Sequence, residues 1–108
     1  ALRLARRGNC IALLKGPTTV VAGPDGRVAI STSGDQRLAT AGTGDVLAGI
    51  VGAALARDGA DPLMSVALAA HVHGRAAMRG PELGFRASDL PDLVAATLDE
   101  LVTDGYHP

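Results

Sequence analysis

The chain has 108 residues, a formal net charge of −1 and 47% apolar residues, a composition that suits one domain or part of a larger one. Its balanced charge and 2% aromatic content argue against a nucleic-acid-binding protein, which normally has a basic excess and rings for stacking. The single cysteine, Cys10, excludes an internal disulfide, and its apolar neighbours predict a buried core thiol. No apolar run reaches the ~20 residues of a membrane span and no secretory signal is recognised, so we expect a cytoplasmic protein without a membrane partner.

The first third of the chain predicts the end of a helix followed by three short strands. The helix is expected over 2–7, with Gly8 ending it. The continuous apolar run 10–14 is typical of a strand that is covered on both faces. β-branched residues favour a second strand over 18–22. A Pro-Asp-Gly turn and the alternation over 27–31 then predict a hairpin, and a polar loop is expected to follow.

The rest of the chain predicts three helices. The first is an alanine-rich helix over 46–57, whose two internal glycines indicate a place where another backbone packs closely. Asp61 followed by proline predicts the N-terminus of a second helix that runs to about Met78. Ser88 is predicted to cap a last helix over 89–102, where apolar residues recur with a helical period.

The stretch TAGTGDVLAG at 40–49 is the most informative part of the sequence. Gly42 and Gly44 flank Thr43, and Asp45 follows them where a helix is expected to start. A helix N-terminus has unpaired N–H donors and about half a positive charge, and glycines let a ligand approach the backbone, so the loop suits a phosphate. An adjacent carboxylate can accept the proton of a hydroxyl group as phosphate is transferred to it. Neither the dinucleotide fingerprint nor the P-loop pattern is present. We therefore expect phosphoryl chemistry on an alcohol.

Several segments together carry a family resemblance. They are LLKGPTTV at 13–20, PDG at 24–26, LATAGTGDVLAG at 38–49, His73-Gly74, and RASDL at 86–90. In combination they resemble the ADP/ATP-dependent NAD(P)H-hydrate dehydratases of the ribokinase-like superfamily, and the match covers nearly the whole chain. The GTGD tetrad alone is shared with several kinases of that superfamily.

The resemblance implies an α/β fold, namely the C-terminal part of a ribokinase-like three-layer α/β/α sandwich, with strands and a hairpin followed by about three helices. Residues 1–108 would be the C-terminal part of a single domain whose upstream half is absent, and a chain that starts within a helix agrees with that expectation. The implied reaction is ADP- or ATP-dependent dehydration of hydrated NADH or NADPH, which restores the cofactor. Whether this part of the domain is active alone is left open.

The resemblance also implies roles for site residues. Asp45 would contact the hydrated cofactor and act as the catalytic base. The adenine nucleotide would be bound by Lys15, Gly16, Pro17, Thr18, Thr19, Asp35, Gln36, Arg37, Leu38, Ala39, Thr40, Ala41, Gly42, Thr43 and Gly44. ADP or ATP would be the cosubstrate, and Mg²⁺ is implied without an assigned ligand in this chain. A homo-oligomer is expected.

Other interpretations stay open at this point. A small-molecule kinase of the same superfamily, acting on a vitamin precursor or a sugar alcohol, would use the same GTGD loop. A half-domain that binds nucleotide or mediates assembly without turnover is the non-enzymatic alternative. Lys15 could be only a charge at a strand end, and Thr19 only a β-forming residue. His71 and His73 are two residues apart on a helix and cannot form an i, i+4 metal pair, so His73 is predicted to pack or hydrogen-bond near the site.

Overall fold

A computed structural model describes residues 1–57, 59 and 61–103 of the chain. In chain order the elements are α1 (Leu2–Gly8), β1 (Ala12–Leu14), β2 (Thr19–Ala22), β3 (Val28–Ser31), a 3₁₀ turn (Gln36–Ala39), α2 (Thr43–Leu55), α3 (Pro62–Met78), a second 3₁₀ turn (Ala87–Asp89) and α4 (Leu90–Thr103). Asp58, which directly follows the helix predicted over 46–57, lies outside the described residues. The order of strands, hairpin and three helices is the one that the sequence predicts.

The three strands form one antiparallel sheet in the order β1-β2-β3. The predicted hairpin is confirmed: β2 pairs with β3 in the register Val20↔Ile30, and Gly26 takes φ 95° in the turn between them. The expectation that the first strand is covered on both faces is wrong for the described residues. β1 spans only three residues, of which Leu14 is exposed.

Helix α3 is the centre of the packing. It contacts α2 and α4 as well as strands β2 and β3, and many of its small residues are buried. One core cluster joins Ala76 and Ala77 of α3 to Leu90 of α4 and the intervening Phe85. A second cluster packs the start of α3 against Val21 of the sheet. Because alanine side chains are short, the helices and the sheet approach one another closely around α3.

Three helix ends differ from the local predictions made from the sequence. Asn9, with φ 48°, ends α1 in the left-handed conformation, in place of the expected Gly8. Helix α2 begins at Thr43, three residues before the prediction, directly after Gly42. At α4 the Asp89 carboxylate accepts a hydrogen bond from the Arg86 N–H at 2.9 Å, so Asp89 and not the expected Ser88 satisfies a backbone donor there.

Two further expectations are not met within the described residues. Cys10 is exposed and is not part of the core, because it follows the end of α1 and precedes the covered part of the sheet. A Cβ built at Gly49 or Gly52 would meet nothing within 4 Å, so the closely packed backbone predicted there is absent from 1–57, 59 and 61–103. In the same ranges, no helix combines the length and the hydropathy needed to cross a bilayer.

Candidate functional site

A cleft of about 550 Å³ opens where the end of β1 faces the 3₁₀ turn Gln36–Ala39. Its volume lies in the range of small-molecule sites. The lining residues come from two separate segments of the chain: Lys15, Gly16, Pro17 and Thr19 from the first, and Ser33, Gly34, Asp35, Gln36, Leu38 and Ala39 from the second. The fold therefore brings parts of the two predicted nucleotide segments, residues 15–19 and 35–39, to one cavity.

The cleft differs from the predicted residue set at several positions. Thr18, Arg37 and residues 40–44 do not line it, whereas Ser33 and Gly34, which the sequence predicts only as loop residues, do. The sequence feature that could have indicated them is the Ser-Gly pair directly before Asp35. Gly34 adopts φ 93°, a backbone conformation that favours glycine, so a glycine here marks a tight turn of the cleft wall.

Lys15 supplies a positive charge to this cleft. Partial burial lowers the pKa of its ammonium group from the ordinary value, which reflects the loss of water around the charge. Its charge also helps to lower the pKa of His73, after the larger effect of burial. A partly desolvated ammonium group at a cavity wall is suited to an anionic ligand, because the attraction strengthens as water is removed.

The carboxylate of Asp35, at the cleft, forms an ion pair with Arg37. It accepts a hydrogen bond from the Arg37 N–H at 2.9 Å and pairs with the Arg37 guanidinium at 2.8 Å. The Arg37 side chain is 11% exposed and also contacts the Met78 sulfur at 3.4 Å, so it lies against α3 instead of in the cleft. Because Arg37 compensates Asp35, the charge of Lys15 is not cancelled by that carboxylate.

The first turn of α2 adjoins the cleft through a buried hydrogen bond. Thr43 is 4% exposed and donates its hydroxyl hydrogen to the Leu38 carbonyl at 2.6 Å. Its N–H donates to the Thr40 carbonyl at 3.3 Å, and the Val46 N–H donates to the Gly42 carbonyl at 3.4 Å.

Two backbone N–H groups lie between Thr43 and Val46 in the first turn of α2. Within the part of the chain that the structure describes, the N–H groups of Gly44 and Asp45 have no hydrogen-bond acceptor, and both residues are exposed. Gly42, with φ 93°, turns the chain into the helix, and Asp45 lies in its first turn. Two unpaired amides and a carboxylate therefore meet at one helix N-terminus.

Gly44 also lines a second, apolar hollow of about 570 Å³. Its walls include Leu13 of β1 and Leu47 and Val51 of α2. The first turn of α2 thus contacts the cleft, through the bond between Thr43 and Leu38, and an apolar groove, through Gly44.

A buried histidine supports the same turn from behind. His73, on α3, is 1% exposed, and its Nε2 lies 2.9 Å from the Thr43 carbonyl oxygen. The prediction that His73 packs or hydrogen-bonds near the site is confirmed. Among residues 1–57, 59 and 61–103, no three His, Cys, Asp or Glu side chains meet in a way that could hold a metal ion, so these residues do not form a metal centre by themselves.

The chain is similar to proteins of one family. A family model described as NAD(P)H-hydrate dehydratase matches residues 1–99. The bifunctional NAD(P)H-hydrate repair enzyme Nnr of Moorella thermoacetica is 42% identical over 105 residues, which cover 94% of this chain and 20% of that protein. The ADP-dependent (S)-NAD(P)H-hydrate dehydratase of Xanthomonas campestris is 36% identical over 105 residues, which cover 94% of this chain and 36% of that protein.

The fold agrees with a solved structure. The crystal structure of ADP/ATP-dependent NAD(P)H-hydrate dehydratase from Bacillus subtilis, co-crystallized with ATP/Mg²⁺ and soaked with CoA, superposes with a TM-score of 0.85 at 30% identity, over 93% of this chain and 38% of that one. The expected fold, part of a ribokinase-like α/β sandwich, is confirmed, and the chain spans well under half the length of these relatives. Because the family model covers most of its residues, the chain belongs to the NAD(P)H-hydrate dehydratase family.

Proposed function

We propose that these residues form the nucleotide-binding part of an ADP- or ATP-dependent NAD(P)H-hydrate dehydratase, an enzyme that repairs hydrated NADH and NADPH. The observation that carries the proposal is the meeting of the segments 15–19 and 35–39 at one cleft, next to a helix start with two unpaired amides. The names of the relatives, which describe dehydratases that use ADP or ATP, support this choice of substrate and cosubstrate.

In this proposal the nucleotide occupies the cleft with its phosphates toward the first turn of α2. Lys15 supplies a cation, while the N–H groups of Gly44 and Asp45 supply oriented donors for phosphate oxygens. Phosphoryl transfer depends mainly on such positioning and charge stabilisation. The residues Thr40, Ala41 and Gly42, which do not line the cleft, would fix the backbone path between these two parts of the site.

Asp45 is proposed to act as the base. The hydroxyl oxygen of the hydrated nicotinamide ring attacks the terminal phosphorus, its proton passes to the Asp45 carboxylate, and the bond to the nucleotide leaving group breaks. Loss of phosphate and of one ring proton then restores the double bond of the reduced cofactor. The exposed position of Asp45 in the first turn of α2 suits this role, because its carboxylate is open to a substrate hydroxyl beside the unpaired amides.

Three finer points stay predictions within this proposal. Mg²⁺ is supported by the Bacillus subtilis structure with ATP/Mg²⁺, although the described residues do not form a metal site, so no step is derived through the ion. A homo-oligomeric assembly and a cytoplasmic location are the other two.

The proposal is tested by supplying the native protein with hydrated NADH and either ADP or ATP. Recovery of the absorbance of reduced nicotinamide, dependent on nucleotide, is the expected result. Recovery without nucleotide, or no recovery with either nucleotide, would contradict the proposal. Phosphate transfer to a vitamin precursor or sugar alcohol instead would identify the kinase alternative.

A further inference from the structure

One turn of α3, at 71–74, contacts both the cleft wall and the start of α2. The Ser33 hydroxyl donates to the carbonyl oxygen of His71 at 2.9 Å, and Ser33 lines the cleft. Two residues farther along α3, the imidazole of His73 lies 2.9 Å from the Thr43 carbonyl oxygen, at the first residue of α2. The same helical turn therefore holds the cleft wall and the start of α2.

Gly74 allows this turn to approach the cleft wall closely. A Cβ built at Gly74 would lie 2.5 Å from the Ser33 carbonyl oxygen and 2.6 Å from the Ser33 carbonyl carbon. A Cβ at Gly34, the next residue of the wall, would lie 3.2 Å from the Gly74 Cα. Because the obstructing atoms include the Ser33 backbone as well as the Ser33 hydroxyl oxygen, a side chain at position 74 would displace the wall itself.

The hydrogen bond of His73 has a defined direction. The Thr43 carbonyl can only accept, so the proton is on Nε2 of His73. Burial and the nearby charge of Lys15 lower the pKa of His73, which favours the neutral ring at neutral pH. His73 does not line the cleft, so no ligand there is expected to touch it.

We propose that His73 and Gly74 are positioning residues, which set the distance between the cleft wall at Ser33 and the first turn of α2 and thereby determine the affinity for adenine nucleotide. The choice of ligand rests on the proposed function. The geometric part does not, since it concerns contacts that exist without nucleotide. A ligand that spans the cleft and the amides of α2 requires both surfaces at a fixed separation, and α3 is the element that contacts both.

The test compares His73→Leu with His73→Gln in the native protein. Leucine removes the donor, whereas the side-chain amide of glutamine can still donate to the Thr43 carbonyl. We expect His73→Leu to raise the Kd for ADP about tenfold, the scale of one lost hydrogen bond. It should also accelerate amide hydrogen exchange at Val46 and Leu47 without nucleotide. The glutamine variant should stay within about threefold of the parent Kd. Thermal unfolding verifies that both variants are folded.

Each contrary outcome has a distinct meaning. If His73→Leu leaves the Kd and the exchange rates unchanged, the positioning role is wrong. If His73→Gln is as weak as His73→Leu, packing and not the hydrogen bond is responsible, and the proposal is likewise overturned. If the parent protein binds no ADP, the proposed function fails, while the exchange rates still decide whether His73 holds the first turn of α2.

Discussion

The hydroxyl of Thr43 and the carbonyl of Leu38 are joined by a 2.6 Å hydrogen bond that connects the cleft to α2. Because Thr43 is 4% exposed, valine at this position would keep the shape and remove the donor. We expect Thr43→Val to lower the free energy of unfolding by about 1–3 kcal/mol and to weaken ADP binding several-fold. Urea unfolding and calorimetric titration of the same protein measure the two effects.

A second threonine provides the matched control. Thr97 is 1% exposed and donates to the Leu93 carbonyl at 2.7 Å within α4, away from the cleft. Thr97→Val should therefore reduce stability by a similar amount and leave the Kd for ADP unchanged. Equal loss of affinity in both variants would show that the effect on binding follows from stability alone.

Asp45 should matter for turnover more than for nucleotide binding. A general base contributes about 10²–10⁴-fold to the rate, so we expect Asp45→Asn to lower kcat at least 100-fold on that scale. The side chain is exposed in the first turn of α2, so the fold should be nearly unaffected. Steady-state kinetics with hydrated NADH and saturating nucleotide measure the change.

Asp92 is the control for Asp45. Asp92 also lies exposed in the first turn of a helix, α4, so its replacement by asparagine removes a comparable charge from a helix start. Asp92→Asn should leave kcat unchanged. If Asp45→Asn kept the parent kcat, the proposed base would be wrong.

Gly34 should not tolerate a side chain. It has φ 93°, and a Cβ there would lie 2.6 Å from the Leu38 Cδ1 and 3.2 Å from the Gly74 Cα. A left-handed backbone alone costs about 1–2 kcal/mol for a residue with a Cβ. We expect Gly34→Ala to lower the free energy of unfolding by at least this amount and to raise the Kd for ADP, because the residue lines the cleft.

Gly52, in the exposed interior of α2, is the matched glycine. A Cβ there would meet nothing within 4 Å of the described structure, so Gly52→Ala should stabilise the protein by about 1 kcal/mol through helix propensity. Urea unfolding distinguishes the two variants. Destabilisation by Gly52→Ala would mean that another backbone packs against α2 in the native protein, as the sequence alone suggested.

Stability should fall as the pH drops below about 6.5, because two histidines have lowered pKa values in the folded protein. Burial lowers the pKa of His73 and of His71 below the ordinary 6.5, with Lys15 adding to the effect at His73 and Arg75 at His71. The unfolded chain therefore binds more protons than the folded one below pH 6.5, so the contribution is fully present above that pH and is lost as the pH falls toward the lowered pKa values.

Urea unfolding at a series of pH values tests this dependence. The carboxyl groups of Asp25 and Asp61, whose pKa values Arg27 lowers from 3.8, act in the same direction but only near and below pH 4. His73→Gln should reduce the slope of stability against pH below pH 6.5, and His71→Gln should remove part of the remainder. An unchanged slope in both variants would contradict the assignment to histidine.

Local chemistry made much of the fold predictable. Asp61 followed by proline correctly indicated the start of α3, where the Asp61 carboxylate accepts from the Leu63 N–H at 3.1 Å. The Pro-Asp-Gly turn correctly indicated the β2–β3 hairpin. The start of α4 was misassigned because Ser88 and Asp89 are both good capping residues, and only the three-dimensional turn decides which one reaches a backbone donor.

Contacts between distant residues could not be derived in the same way. The bond from His73 to Thr43 spans 30 residues of sequence, and the approach of Gly74 to Ser33 spans 41. The family resemblance indicated both nucleotide segments, but it did not show that α3 supports them. Cys10 was misassigned because apolar neighbours suggested burial, whereas its place after α1 leaves it exposed.

Backbone amide NMR during titration with ADP tests the central claim most directly, since it observes the two unpaired N–H groups themselves. We predict saturable shifts of the Gly44 and Asp45 amide resonances, together with Lys15 and Ala39 at the cleft, and no shifts at Asp99 on α4. Saturable binding that leaves the Gly44 and Asp45 amides unmoved would contradict the account.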